Sequence, residues 1–308
     1  MFRRLHAHLI VAIALALLSA GALTAQAPPS RTLYVLSIGV SEHKHDPEHK
    51  TWMSKGVKFA AKDARDVARL FERQQRKLFD RVASVVLTND QATKANIEQH
   101  LDWLRPVVRP GDAVVLFIAS HGGAGPGGYS FVTYDSSPTS DPSQDVTGAR
   151  LRQALAGLPG TRLLMLDTCH AAAAAAGGAA PQTAPLTDLA SQDGVVVWAA
   201  CGSSEGSVEL PALENGLFTH TAIDGLEGRA DFNGDGVVTL AEADAYVANA
   251  VAKMSGGKQN PAMQRPASIP SGFNLVRVTR PTAEPLALPT PGSNQPGIAN
   301  GPRGKMPF

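Results

Sequence analysis

Two segments of this chain end in side chains that can do covalent chemistry. Asp112 to His121 reads DAVVLFIASH and runs into Gly122-Gly123. Thr161 to His170 reads TRLLMLDTCH and runs into a row of alanines. A cysteine thiolate is a nucleophile. An imidazole beside it can take the thiol proton and later give it to a leaving amine. His121 and Cys169 are together the minimum apparatus for attack on a carbonyl. The backbone N–H groups of Gly122 and Cys169 could hold the developing oxyanion. The glycines after His121 let backbone approach a substrate closely. As a pattern alone the pair is moderately specific, because buried cysteine is often inert.

The elements around these residues explain why they should meet. Both segments are continuous apolar runs bounded by polar and glycine-rich stretches, which reads as strands buried on both faces of a parallel sheet. Between them lies one helix-like stretch, Val146 to Leu158. A strand, a crossover and a second strand pair in parallel, so the two carboxyl ends lie together. Open α/β sheets keep their sites at that edge. Further strands are expected at Leu33–Val40, Val82–Leu87 and Gly194–Ala200, with a short strand or hairpin arm at Gly128–Asp135. Helices are expected at Gly56–Gln75, from Thr93 to the prolines at 106 and 110, at Leu217–Leu226 and from Leu240 to about Met254. The alternation argues a single, mostly parallel, doubly wound α/β domain with helices on both faces.

The residues then carry a resemblance. The chain resembles the caspase and metacaspase family of cysteine peptidases, especially its bacterial caspase-like members. The matching stretches run from Leu33 to about Pro261: the strand ending IGV, the FAAKDARDVARLF helix, the strands ending SHG and DTCH, VVWAACGSSEGS, and GLFTHTAIDGLEG. The resemblance implies a caspase-like sheet, Cys169 as nucleophile and His121 as acid/base. Gly122 and the Cys169 amide would form the oxyanion hole. The chain departs from the family's frequent Ser-Gly after Cys-His, having Ala171-Ala172, and carries Ala119 where serine is common.

Specificity turns on two carboxylates. Asp167 lies two residues before Cys169, so it points to the same side of its strand. Asp63 lies in the first long helix. In metacaspases the matching positions line an acidic pocket that takes Arg or Lys, so the resemblance implies cleavage after basic residues. Asp63 could instead pair with Lys62 or Arg65 on a solvated helix. Ser203 and Ser204 read as substrate-groove residues. No Lys or Arg lies between Arg162 and Arg229. An enzyme that prefers basic residues could not cut itself in the loop Ala171–Asp193, whereas cuts at Asp188 or Asp193 would argue acidic specificity.

Asp231 to Glu242, DFNGDGVVTLAE, matches an EF-hand calcium loop. Asp231, Asn233, Asp235 and Glu242 supply oxygens at positions 1, 3, 5 and 12. Gly236 takes the sharp turn, Val237 offers its carbonyl, and Thr239 fills position 9. One bound Ca2+ is expected, built into the peptidase domain.

The remaining features bound the answer. The chain has 308 residues and a net charge of +1, with nothing to suggest nucleic-acid binding. Arg3-Arg4, an apolar run from Leu9 to Leu18, and Ala25-Gln26-Ala27 have the layout of a secretory signal peptide cleaved after Ala27. The run is shorter than the roughly 18 residues a membrane span needs. No cysteine follows it, which excludes a lipoprotein anchor. Residues 1–27 are thus a leader, 28–279 a peptidase domain, and 280–308 a disordered Pro- and Gly-rich tail. The mature chain is expected to be secreted or periplasmic, with a peptide or protein as substrate, no nucleic acid and no membrane. Its oligomeric state is open. Cys169 and Cys201 are the two cysteines, and in an oxidising compartment a disulfide between them is the competing reading. His43, His45 and His49 read as a solvated loop at the site's rim rather than a metal centre. Gly202-Ser-Ser204-Glu-Gly206 also fits a serine-hydrolase elbow, which should lead straight into a helix. A calcium-binding scaffold without activity is the non-enzyme alternative.

Overall fold

The computed structural model describes residues 30–125, 128–138, 145–168, 193–202 and 205–278. Cys169, His170, the alanine-rich loop, Ser203 and Ser204 lie outside the described residues, as do the expected leader and tail. From Arg31 onward the chain is one unit. No helix among the described residues is long and apolar enough to cross a membrane.

Among the described residues thirteen strands and five α-helices follow in order. They are β1 Thr32–Gly39, α1 Ala60–Glu72, β2 Arg81–Thr88, α2 Lys94–Val107 and β3 Ala113–Ala119. Next come β4 Gly122–Gly125, β5 Gly128–Phe131, β6 Val146–Thr147, α3 Gly148–Leu155, β7 Thr161–Asp167 and β8 Val195–Ala199. The chain continues with β9 Glu209–Leu210, β10 Asn215–Gly216, α4 Leu217–Asp224, β11 Val237–Thr239, α5 Leu240–Ser255, β12 Ala262–Gln264 and β13 Asn274–Arg277. The central sheet has the order β12-β8-β7-β3-β1-β2. All its pairs are parallel except that of β12 with β8.

Alternation along the strands builds two cores. Val115, Phe117, Met165 and Trp198 face one side with Phe71, Phe218 and Val247 of α1, α4 and α5. Leu116, Ile118, Leu164 and Val197 face the other with Leu101 and Leu151 of α2 and α3. Both faces are covered, which is why β3 and β7 read as unbroken apolar runs. Fully burying each such side chain contributes about 1.5–3 kcal/mol. The doubly wound, mostly parallel architecture expected from the sequence is the one present.

Some boundaries differ from expectation. Pro106 does not end α2, which continues to Val107. A proline in the last turn is tolerated where few bonds remain to be lost. The Gly128 segment is the second arm of a hairpin whose first arm, β4, starts directly after His121. Strands β12 and β13 were not foreseen. They are three and four residues long, too short for a periodic signal.

The loop Asp231–Glu242 closes on its first residue. One carboxylate oxygen of Asp231 accepts from the N–H groups of Gly234 at 2.9 Å and Asp235 at 3.1 Å, and the other from Gly236 at 2.9 Å. Gly236 has φ +79°, the left-handed turn its position demands. Val237 lies in β11, which pairs with β13. Glu242 is drawn the other way. Its carboxylate accepts from the Thr239 N–H at 2.9 Å and hydroxyl at 2.7 Å, forming a capping box on α5. No three His, Cys, Asp or Glu side chains gather for a cation among the described residues.

Strand β13 is tied to the end of α1 by one buried side chain. The Gln74 amide accepts from the N–H of Arg277 at 2.8 Å and donates to its carbonyl at 3.3 Å. Gln74→Ala should cost about 1–3 kcal/mol, because the Arg277 N–H loses its partner and its carbonyl keeps only the long bond from Lys77 Nζ at 3.5 Å. Urea unfolding measures the loss, and local hydrogen exchange should rise at Arg277.

Candidate active site

The site forms where β3 and β7 end. Their register pairs Ala119 with Asp167. One residue on, Ser120 donates its N–H to the Asp167 carbonyl at 3.4 Å and its hydroxyl to Val132 at 2.7 Å. His121 follows in one segment, and Thr168 then Cys169 in the other. His121 therefore stands at the carboxyl edge, as expected, beside the strand that carries Asp167 and leads to Cys169.

The chain next turns into the β4–β5 hairpin. Val132 donates its N–H to the His121 carbonyl at 2.9 Å, with Gly122 opposite Phe131. In an antiparallel ladder this makes Gly122 a non-hydrogen-bonded position, so its own N–H points away from β5. A donor aimed away from its sheet is what an oxyanion site requires.

The His121 ring is half-buried, and its Nε2 is buried with no hydrogen-bond partner among the described residues. Burial, and then the neighbouring His43, lower its pKa from the ordinary histidine value. The backbone of Met53 and Trp52 acts in the other direction. The net shift favours the neutral ring, the form that can accept a proton.

Asp63 is not a solvated helix charge. It is 2 % exposed and has no cationic partner among the described residues. Its carboxylate accepts from the Asn215 side chain at 2.6 Å and the Gly216 N–H at 3.1 Å. Lys62 turns instead to Asp66, at 2.7 Å. Asp167 accepts from the Thr219 hydroxyl at 2.6 Å, from its N–H at 3.3 Å, and from the Ser207 hydroxyl. Gly216 separates the two acids: a Cβ there would lie 2.4 Å from an Asp167 oxygen and 3.3 Å from one of Asp63. Burial, followed by the charge of Asp167, pushes the Asp63 pKa up to about 8. Burial likewise raises Asp167.

A third carboxylate, Glu209, closes the same cavity. It caps α1 by accepting from the N–H groups of Lys58 at 3.0 Å and Phe59 at 2.9 Å. Burial raises its pKa as well. The cavity among these acids holds about 20 Å³, room for a water but not for a guanidinium. A larger occupant must displace a wall.

Sequence reasoning found both acids but not their holders. Ser207, Asn215, Gly216, Thr219 and Glu209 sit in or beside short irregular segments with no periodic signal. Asn215-Gly216 read only as loop chemistry. The Cys201 thiol is buried within hydrogen-bond reach of two carbonyls, Thr168 at 3.2 Å and Glu205 at 3.3 Å, which compete for its one proton. The serine-hydrolase elbow lacks its helix: among the described residues after Gly206 none is α-helical until Leu217. His43 is also a correction. It is 2 % exposed rather than solvated, whereas His45 and His49 are exposed.

Comparisons with known proteins bear on the fold and the family. The family model described as caspase domain matches residues 46–268. A protein of Geobacter sulfurreducens superposes with a TM-score of 0.57 at 17% identity, over 81% of this chain and 99% of its own. Caspase-1 of Spodoptera frugiperda superposes with a TM-score of 0.50 at 12% identity, over 80% of this chain and 92% of its own. At such identities the likeness is one of fold. No curated protein matches the sequence.

The raised carboxylates fix the sign of a pH effect. A group whose folded pKa is raised adds stability that is fully present below its unfolded value and is lost as pH climbs towards the folded one. Asp63→Asn should therefore gain in melting temperature over the parent as pH rises from 4 to 8, with little difference at pH 4. Thermal melts across that range check it, and a difference independent of pH would contradict the buried-acid account.

Proposed function

Because the chain belongs to the caspase-domain family, we propose that it is a cysteine endopeptidase cutting after Arg or Lys. The observation that carries the reading is a pair of buried carboxylates without a counter-cation among the described residues, Asp63 on α1 and Asp167 on β7, the latter level with Ala119 and so two residues before His121. A buried carboxylate is costly unless paired, so a cationic side chain is the ligand that relieves it. A basic pocket selecting Asp would carry the opposite charge.

In this reading His121 takes the proton of the Cys169 thiol, and the thiolate sulfur attacks the scissile carbonyl carbon. The carbonyl oxygen becomes an oxyanion, held by the N–H groups of Gly122 and Cys169. His121 gives its proton to the leaving amine as the C–N bond breaks, leaving a thioester. Water, losing a proton to His121, then attacks the thioester and releases the carboxylic acid, returning the thiol. Asp63 and Asp167 hold the substrate's cationic side chain, with Ser207 displaced to make room. Ser203 and Ser204 line the groove.

We also assign a calcium ion to Asp231, Asn233, Asp235, Val237, Thr239 and Glu242. The donor set and the Gly236 turn suit a hard cation with oxygen ligands. The capping box engages Glu242, so binding would compete with Thr239 for that carboxylate. The leader points to work outside the cytoplasm, and N-terminal sequencing of the mature protein tests cleavage after Ala27.

Fluorogenic peptides ending in Arg, Lys or Asp test the activity under reducing conditions. Turnover after Arg or Lys should vanish in Cys169→Ala. Gly216→Ala should cut kcat/KM for arginine peptides about 100-fold, since its methyl fills the space between the acids. Turnover after Asp would sink the basic specificity. No turnover, with Cys169 unreactive to alkylation, would favour the inactive scaffold. Separately, excess calcium should raise the melting temperature by about 4–8 °C. Chelator or Asp231→Ala should abolish that gain, and a melt indifferent to both would remove the calcium assignment.

A further inference from the structure

The loop between β1 and α1 places a second imidazole against the first. His43 is buried, and among the described residues neither of its ring nitrogens has a partner at full hydrogen-bond geometry, the backbone of Thr133 and Met53 being its nearest polar company. Buried polar groups are normally well satisfied, so a ring held so loosely calls for an explanation. Its ring lies nearly parallel to that of His121, with centroids 6.4 Å apart and planes 25° apart. Trp52 meets His121 from another side, with centroids 5.3 Å apart and planes at 61°. The supporting loop is well tied. Asp46 accepts from the N–H groups of Lys50 at 2.8 Å and Thr51 at 3.0 Å and from the Ser54 hydroxyl at 2.6 Å. Met53 is fully buried beneath it.

No side-chain hydrogen bond among the described residues sets the orientation of the His121 ring. In triad enzymes a carboxylate does that work. Here ring packing, beside the backbone of Trp52 and Met53, is what remains. We propose that His43 is a positioning residue that holds the His121 ring in its working orientation by near-parallel, offset ring packing. The proposal rests on His121 being the acid/base of the dyad.

The packing has an electrostatic consequence. A proton on one ring opposes a proton on the other. Burial lowers the pKa of both rings, and His43 further lowers that of His121. The charged groups facing His43 are Asp46 and His49 of its own loop and His121 from the end of β3. Asp46 favours the charged ring and His49 opposes it, while the backbone of Thr133 and Met53 also favours it. The two rings titrate as a pair, so replacing one should let the other take a proton at higher pH.

Two variants separate orientation from folding. In His43→Ala, kcat for an arginine peptide should fall about tenfold or more. KM should stay within about twofold, since ground-state binding is untouched. His43→Phe keeps a ring against His121 and should recover most of the lost kcat, with its acidic limb moved to higher pH. Parental kcat in His43→Ala overturns the proposal. So does a His43→Phe protein that melts like the parent yet is no faster than His43→Ala. A titration of labelled histidine rings by NMR reads the contact without turnover. The His121 signal, assigned with His121→Ala, should titrate at higher pH in His43→Phe, and an unmoved midpoint overturns the proposal. If His121→Ala keeps parental turnover, it is the dyad that fails, a result distinct from any failure of the His43 variants.

Discussion

The parallel pairing of β3 with β7 is the constraint on which the rest depends. Both strands are buried on both faces, so neither tolerates an unpaired polar side chain along its length. Chemistry can emerge only where they end. The register sets Ala119 against Asp167, and the polar residues begin there together: Ser120 and His121 on one strand, Asp167 and Thr168 on the other. A slip of one residue would turn Asp167 to the opposite face. The pocket then would lose its second acid while the histidine kept its place. The two cores thus fix the site's chemistry as well as its stability.

The acid pair makes sense as a stored electrostatic cost. Two buried carboxylates near one another resist sharing a negative charge. Hydrogen bonds from Asn215, Gly216, Ser207 and Thr219 offset part of that cost without adding a positive charge. A structural role alone would be met as well by neutral side chains, or by a lysine that closed the pair. Lys62 is one residue from Asp63 and still turns to Asp66. The pocket is held without its counter-charge, and a cationic ligand would supply one. Gly216 keeps the gap open, since any side chain there would meet both acids.

How much was legible follows from the length of each signal. Runs of seven or eight apolar residues revealed the parallel strands, and the Asp63 helix showed its face at i, i+3 and i+4. Strand order near the centre followed from a single crossover. Asp63 and Asp167 were visible as residue types, but whether they were paired with cations was not, because that depends on the β9–β10 segment, far along the chain. Its two-residue strands carry no period. His43 failed for a related reason. A histidine among charged neighbours reads as solvated, and only the turn of loop 41–54 over the sheet edge buries it. The proposed nucleophile, Cys169, lies outside the described residues, and its assignment rests on sequence and on family membership.

The loop Asp231–Glu242 shows how a lone motif can be completed by its own chain. Residues seven to nine of the loop form β11, a strand with an edge that would stand open without a partner. Strand β13 fills it, and Gln74 fastens β13 to the end of α1. The same helix carries Asp63 near its start. From Asp63 to the helix end at Glu72 is nine residues, about 14 Å at 1.5 Å per residue, and Gln74 lies two residues beyond. A cation bound in the loop would therefore tighten α1 at the end away from the pocket. The carboxylates are positioned by contacts at the other end, from Glu209 on the helix N-terminus and Asn215 on Asp63. Order at the loop then adds to the stability of the whole unit, and the charge of the acid pair is set independently of it.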